Sequence, residues 1–275
     1  MGRSLDVFVH VPKTAGSTLL DLLSRQYGPP NVHRTRAMDL EASLEDFRGI
    51  SQAERDKVRL LMGHGVLRLQ DLFPPGTRMF TFLRDPFEQF ISSFHYIRRA
   101  TWNRYHEQVK DMRSELQFLE HRVITGNDNP QTRHLAGLGT DPLPDPDGEL
   151  RVQVVDEAVS GRASTQLDAM VFVGLTEHFD ESLLLLSDVL GWKGPLRYQV
   201  HNRTRSRPKV PADHQLRSAF EEVYAADLEL YERARSRLQK QLADAGAGFA
   251  VRTASFRAWN RVAQEYGRLQ HFLTR

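Results

Sequence analysis

The sequence predicts an α/β fold built around a central parallel sheet, and three observations carry that reading. Short apolar runs rich in β-branched residues end at glycine or proline loops, as buried parallel strands do. Segments with helical apolar spacing separate these runs, and parallel strands need such crossovers. The chain opens on strand, loop and helix in immediate succession.

The elements follow in order. Val7, Phe8, Val9 and Val11 read as the first strand, stopped by Pro12. Leu19, Leu20, Leu22 and Leu23 then recur at helical spacing, and Gly28-Pro29-Pro30 closes that helix. Val58 to Met62 is a second strand ending at Gly63-His64-Gly65, and Met79 to Leu83 a third ending at Arg84-Asp85-Pro86. Asp85 can cap the next helix, Pro86 suits its first position, and Glu88 would complete a capping box. Phe87, Phe90, Ile91, Phe94 and Ile97 share one face of it. The chain up to Asp141 reads as helical, and Asp141 to Gly148 as a polar loop. Ala169 to Val173 is a fourth strand, followed by an apolar helix through Leu183 to Leu190. An arginine-rich loop, His201 to Pro208, precedes a long helix from Pro211 to Ala245, and Ala245 to Gly248 is a break. The last helix carries Phe256, Trp259, Val262, Tyr266, Leu269 and Phe272 on one stripe. Residues 1–248 are therefore expected to form the main domain and 249–275 a C-terminal helical extension.

Composition narrows the classes of function. With 275 residues, 40% of them hydrophobic, one sizeable core is within reach. A formal net charge of only +2 argues against a nucleic-acid binder. The absence of cysteine excludes disulfides, thiolate catalysis and Cys-based zinc sites. The 11 histidines show no ligand spacing such as H-E-x-x-H, so no metal is expected. No apolar run approaches the ~20 residues of a membrane span, and the first residues lack the regions of a signal peptide. A soluble, cytoplasmic protein is the expectation. Basic residues are mostly arginine, which either serves planar recognition of phosphate or sulfate or reflects codon composition.

Two loops stand out as anion sites. His10-Val11-Pro12-Lys13-Thr14-Ala15-Gly16-Ser17-Thr18 joins the first strand to its helix. Such a loop points amides and the positive helix end at an anion, and Lys13 adds a full charge. It is not a Walker A loop, because Lys13 precedes the only glycine, Gly16. The alternative is an ordinary capped turn with a surface lysine. Arg84 closes the third strand, and Ser92 lies on the second turn of the helix behind it. Together they could offer a guanidinium fork and a hydroxyl to one phosphate; the alternative pairs Arg84 with Asp85 and leaves Ser92 as helix filler.

HVPKTAGSTL, GHG and FLRDPFEQFISSFHY, in that order, resemble the PAPS-dependent carbohydrate sulfotransferases that include the heparan and uronosyl 2-O-sulfotransferases (sulfotransferase family 2). NPQTRHLAG, VGLTEHFDESLLLL and DLELYERA extend the resemblance, which spans residues 6–240. It implies a P-loop-like three-layer sandwich and 3′-phosphoadenosine 5′-phosphosulfate (PAPS) as sulfuryl donor. Lys13, Thr14, Ala15, Gly16, Ser17 and Thr18 would then hold the phosphosulfate, with Lys13 also neutralising the leaving phosphate. Arg84 and Ser92 would read the 3′-phosphate. Ala15 departs from the glycine common in the family, which matters if the position needs a positive φ.

The same resemblance makes His64 the catalytic base, since a hydroxyl attacking sulfur must lose its proton; the alternatives are a strand-end structural histidine, or a carboxylate base such as Glu177. His10 is expected to brace the backbone. Gln131 and Arg133, with Thr132 between them, either line the acceptor cleft by resemblance or lie on a helix surface. Arg203 and Arg205 either close over the donor phosphates or sit in a solvated loop. The C-terminal stripe packs on its own domain, on a second subunit or on a membrane surface. The implied reaction is in-line sulfuryl transfer to a hydroxyl of a carbohydrate or glycolipid, without a metal. Two rivals stay open: a phosphoryl-transferring P-loop-like enzyme, and a non-catalytic binder of nucleotide or sulfated glycan.

Overall fold

A computed structural model describes residues 4–121, 128–139, 143–144, 150–151, 153–199 and 214–273. Five parallel strands form the central sheet: β1 (Asp6–Val9), β2 (Val32–Arg34), β3 (Leu60–Gly63), β4 (Arg78–Leu83) and β7 (Phe172–Leu175). Their order is β2-β3-β1-β4-β7, so β1 is central and pairs β3 on one side and β4 on the other. Leu143–Pro144 (β5) and Leu150–Arg151 (β6) pair antiparallel as a separate ribbon.

The helices are α1 (Gly16–Tyr27), α2 (Leu40–Gly49), α3 (Gln52–Arg55), α4 (Pro86–Arg99), α5 (His106–Val109), α6 (Glu115–Glu120), α7 (Pro130–Leu135), α8 (Glu157–Ala169), α9 (Phe179–Leu190), α10 (His214–Val223) and α11 (Ala225–Leu273). They flank the sheet, giving the expected α/β architecture. Every residue of β1, β3 and β7 is buried, as expected for strands covered on both faces. Phe8, Phe80 and Phe82 are fully buried in the main core. A second core, under α4, α6 and α10, gathers Phe87, Phe90, Phe94, Phe118 and Phe220.

Several boundaries differ from the sequence reading. The fourth strand begins at Phe172, because α8 runs through Ala169, capped at its start by Asp156 accepting from the Val159 N–H at 2.8 Å. The segment after α4 is not continuously helical; α5 and α6 are single short pieces. The long helix expected from Pro211 is interrupted at Tyr224 between α10 and α11, and residues 211–213 lie outside the described residues. Periodicity did not single out β2, α2 or α8. Asp85 caps α4, its Oδ1 accepting from the Glu88 N–H at 2.9 Å, while the Glu88 carboxylate turns to Arg84.

Gly246 takes φ 70° and kinks α11, beside the expected boundary at 248/249. Beyond the kink the helix packs back on the domain. Arg252 pairs Asp188 at 2.6 Å, Arg257 pairs Asp180 and Glu181 at 3.1 and 2.6 Å, and Asn260 accepts from the Tyr198 N–H at 3.2 Å. The buried positions are Thr253 and Asn260, whereas Trp259 and Val262 of the stripe stay exposed. Docking on the domain is thus largely polar at those positions. The side chains of Tyr266, Leu269 and Phe272 lie outside the described set. Among the described residues, no helix is long and apolar enough to cross a membrane.

Candidate active site

The C-terminal ends of β1, β3 and β4 bring the expected site residues together, as open parallel sheets do with their ligand-binding loops. After β1 the chain turns through two left-handed residues, Lys13 at φ 65° and Ala15 at φ 64°. Thr14 closes the turn, its hydroxyl donating to the Val11 carbonyl at 2.8 Å, so its side chain faces inward. Ala15 is the N-cap of α1 and gives it no side-chain cap; no acid stands in the first turn. The first amides of a helix lack intrahelical acceptors, and here the positive helix end has no acid in its own first turn to answer it. Ser17 is exposed at this end, and Thr18 is buried with its hydroxyl 3.4 Å from the Gln199 carbonyl. Lys13 places its ammonium 4.0 Å from the Tyr96 ring centre on α4.

The loop is held from α4 and from β4. Gln89 donates to the Pro12 carbonyl at 2.7 Å, and Arg84 donates to the Lys13 carbonyl at 3.2 Å. Arg84 is mostly buried and also reaches Glu88 at 3.4 Å, not Asp85. Ser92 is half-buried on α4, one turn beyond Gln89. Gln131 grips the backbone of Arg84 on both sides: its amide donates to the Arg84 carbonyl at 2.8 Å, and the Arg84 N–H donates to its Oε1 at 3.0 Å.

Neither reading of Gln131 and Arg133 describes what the structure places there. Both are buried, off the helix surface, and their polar groups are consumed inside the protein. Arg133 pairs Asp128 at 2.8 Å and donates to the Gln153 carbonyl at 2.5 Å. Asp227, at the start of α11, caps α7 by accepting from the Gln131 and Thr132 amides at 3.1 and 2.7 Å. Burial outweighs these bonds and pushes the Asp227 carboxyl up to about 6. Asn129 returns the cap, accepting from the Asp227 N–H at 2.9 Å. This buried lock fixes α7, and through Gln131 it fixes Arg84.

Three histidines line up beside the loop. His64 follows β3, its ring 4.3 Å from that of His10 and 5.9 Å from that of His134. Its backbone carbonyl accepts from the Thr35 hydroxyl at 2.6 Å. Gly63, at φ +132°, is needed because an added Cβ would stand 2.5 Å from the Thr35 carbonyl oxygen. Burial, then the nearby His134 and Arg34, lower the His64 pKa to about 3, so its imidazole is neutral at pH 7. Burial, then His64, likewise keeps His10 well below its ordinary value. The His10 ring packs on Gly16 and leaves its buried Nδ1 without a partner, while its backbone N–H donates to the Gly63 carbonyl at 3.1 Å.

His134 and Arg34 were not singled out in the sequence: His134 stands inside the NPQTRHLAG stretch with no role assigned to it, and the fold brings it, on α7, and Arg34, at the end of β2, to His64. Glu177 accepts from the Asp85 N–H at 2.9 Å and from the Tyr231 hydroxyl at 3.3 Å, beside β4 and β7. Arg203 and Arg205 lie outside the described residues. Among the described residues, no three His, Cys, Asp or Glu side chains converge as metal ligands do.

The galactose-3-O-sulfotransferase family model matches residues 3–265 of this chain. That match bears out the resemblance to carbohydrate sulfotransferases. Among solved structures, mouse sulfotransferase SULT7A1 complexed with PAP is similar at 14% identity and a TM-score of 0.41. The likeness covers 70% of this chain and 60% of that one, so the chain spans less than two thirds of that protein. Curated proteins return no match.

Proposed function

The chain belongs to the galactose-3-O-sulfotransferase family, and from that premise we propose that it moves the sulfuryl group of PAPS to the 3-hydroxyl of a galactose unit in a carbohydrate or glycolipid. The observation that supports this most is the loop from Lys13 to Thr18, whose two left-handed residues open an uncapped helix end toward an anion. Arg84 is hydrogen-bonded to that same loop, so the two anion sites expected from sequence are one structural unit.

In this reading Lys13 and the first amides of α1 hold the phosphosulfate, while Arg84 and Ser92 hold the 3′-phosphate. Arg203 and Arg205 keep a proposed place over the phosphates on sequence grounds. The acceptor oxygen attacks sulfur as the bond from sulfur to the bridging oxygen breaks, and 3′-phosphoadenosine 5′-phosphate (PAP) leaves. Lys13 offsets the charge that builds on the leaving phosphate, as preorganised cations do in phosphoryl transfer. His64 takes the acceptor proton. Its neutral form suits a base, and the negative donor beside it would raise its proton affinity from that low value.

Two experiments test this. PAP at about 100 times its dissociation constant should stabilise the protein by ~2.7 kcal/mol, raising the midpoint by something like 5–10 °C at this size. Equal concentrations of 5′-AMP and ADP should do less. A larger shift with ADP would favour phosphoryl transfer instead. Galactosides should then accept sulfate from PAPS, and His64→Ala should lower kcat by about 10²–10⁴ with PAP affinity intact. Equal loss of both would make His64 a structural residue.

A further inference from the structure

A second basic site lies at the opposite end of the sheet from the donor loop. Asp6 opens β1, Arg59 precedes β3 and Arg78 opens β4, so all three stand at the N-terminal edge of the central strands. With Arg25, Lys193 and Arg197 they line a cavity of about 600 Å³. Along β1 the separation from the donor loop is about 13 Å, four residues of extended chain.

The cations of this cavity are unevenly answered. Arg78 is paired with Asp6 through two hydrogen bonds, at 2.7 and 2.9 Å. Arg25 pairs Asp21 at 3.2 Å and donates to the Arg197 carbonyl at 2.7 Å. Among the described residues, Arg59, Lys193 and Arg197 have no carboxylate partner. Arg197 stacks on Trp259, 5.4 Å from the ring centre. Arg59 goes further: its Nε is buried with no hydrogen-bond partner. A buried donor on a cation is costly unless an anion answers it. Tyr27 and Trp192 complete the wall, and Tyr27 is committed to Asp6.

We propose that this cavity binds a ligand bearing two or more sulfate or phosphate groups, with Arg59, Lys193 and Arg197 as its receptors. Volume supports a small molecule or a short glycan segment, since such sites run about 300–1,000 Å³. Guanidinium forks suit tetrahedral oxyanions, and Lys193 adds a point charge. The site is separate from the donor loop and does not depend on what that loop binds.

Calorimetric titration with inorganic tripolyphosphate and with a disulfated disaccharide tests it, in the Arg84→Gln background so that binding at the donor loop is weakened. Binding of at least one probe is expected. Arg59→Gln and Lys193→Gln should each weaken it at least fivefold without lowering the melting temperature, because neither side chain has a bond to lose. Tighter binding of the disaccharide would identify a sulfated glycan as the source, and tighter binding of tripolyphosphate a phosphate compound. Absence of binding for both probes, or affinities unchanged in both cavity variants, would overturn the proposal.

Discussion

Gly16→Ala should change sign depending on His10. An added Cβ at Gly16 would stand 1.7 Å from His10 Nε2, whereas heavy atoms in contact need roughly 3.5 Å. The imidazole would have to move by about 2 Å, and it is held by His64 at 4.3 Å and Phe8 at 5.7 Å between ring centres. Overpacking of this kind costs ~1–3 kcal/mol, a fall of about 3–10 °C in Tm for a chain this long. With His10→Ala already present, the ring that crowds the position is gone, and the same substitution should gain up to about 1 kcal/mol of helix propensity. Thermal unfolding of the four proteins of this cycle measures the coupling directly. If Gly16→Ala costs the same with and without the His10 ring, steric contact is not why glycine opens α1, and the geometry given for the histidine row is wrong.

Other expectations follow from the same structure. Ala15→Gly should raise stability by ~0.5–1 kcal/mol, since a left-handed alanine costs about 1–2 kcal/mol and glycine returns part of that as unfolded-state entropy; a lower Tm would refute the strain at φ 64°. Arg133→Met should cost ~3–5 kcal/mol by stranding Asp128; a surface residue would show neither large cost nor coupling to Asp128. For His64, the folded pKa of about 3 lies below the ordinary 6.5, so the unfolded state takes up the proton first and stability falls as pH drops below 6.5; urea titrations of wild type and His64→Gln between pH 7 and 4 should show the variant with the shallower decline. Asp227 has the opposite sign, because its carboxyl rises from 3.8 to about 6 on folding; its contribution, roughly 3 kcal/mol at most, is present below pH 3.8 and lost as pH rises through 6, so Asp227→Asn should remove that slope.

What the sequence determined by itself was the frame and the anion-binding ends of it. Apolar runs bounded by glycine and proline are local signals, and β1, β3, β4 and the helices after two of them fell close to where those signals put them. Lys13, His64 and Arg84 were legible because each sits within four residues of a strand's C-terminal end, and parallel strands deliver such residues to one edge of the sheet. The strand from Phe172 was displaced from its expected place because Ala169, the last residue of α8, and its C-cap Met170 continue the same apolar run, and a short run does not say which of two elements owns it.

Only the tertiary structure decided what the neighbours of those residues do. His134 joins His64 because α7 is locked by Asp227, a residue 93 positions away from it in the chain. Gln131 and Arg133 belong to that lock and turn inward, a fact of burial that no periodicity over six helical residues carries. The family resemblance raised the question of a positive φ at Ala15, but the structure answered it, because backbone strain is set by what holds the loop, here Gln89 and Arg84. Local residue order fixes where a chain turns; side-chain partners distant in sequence fix which way each group then points.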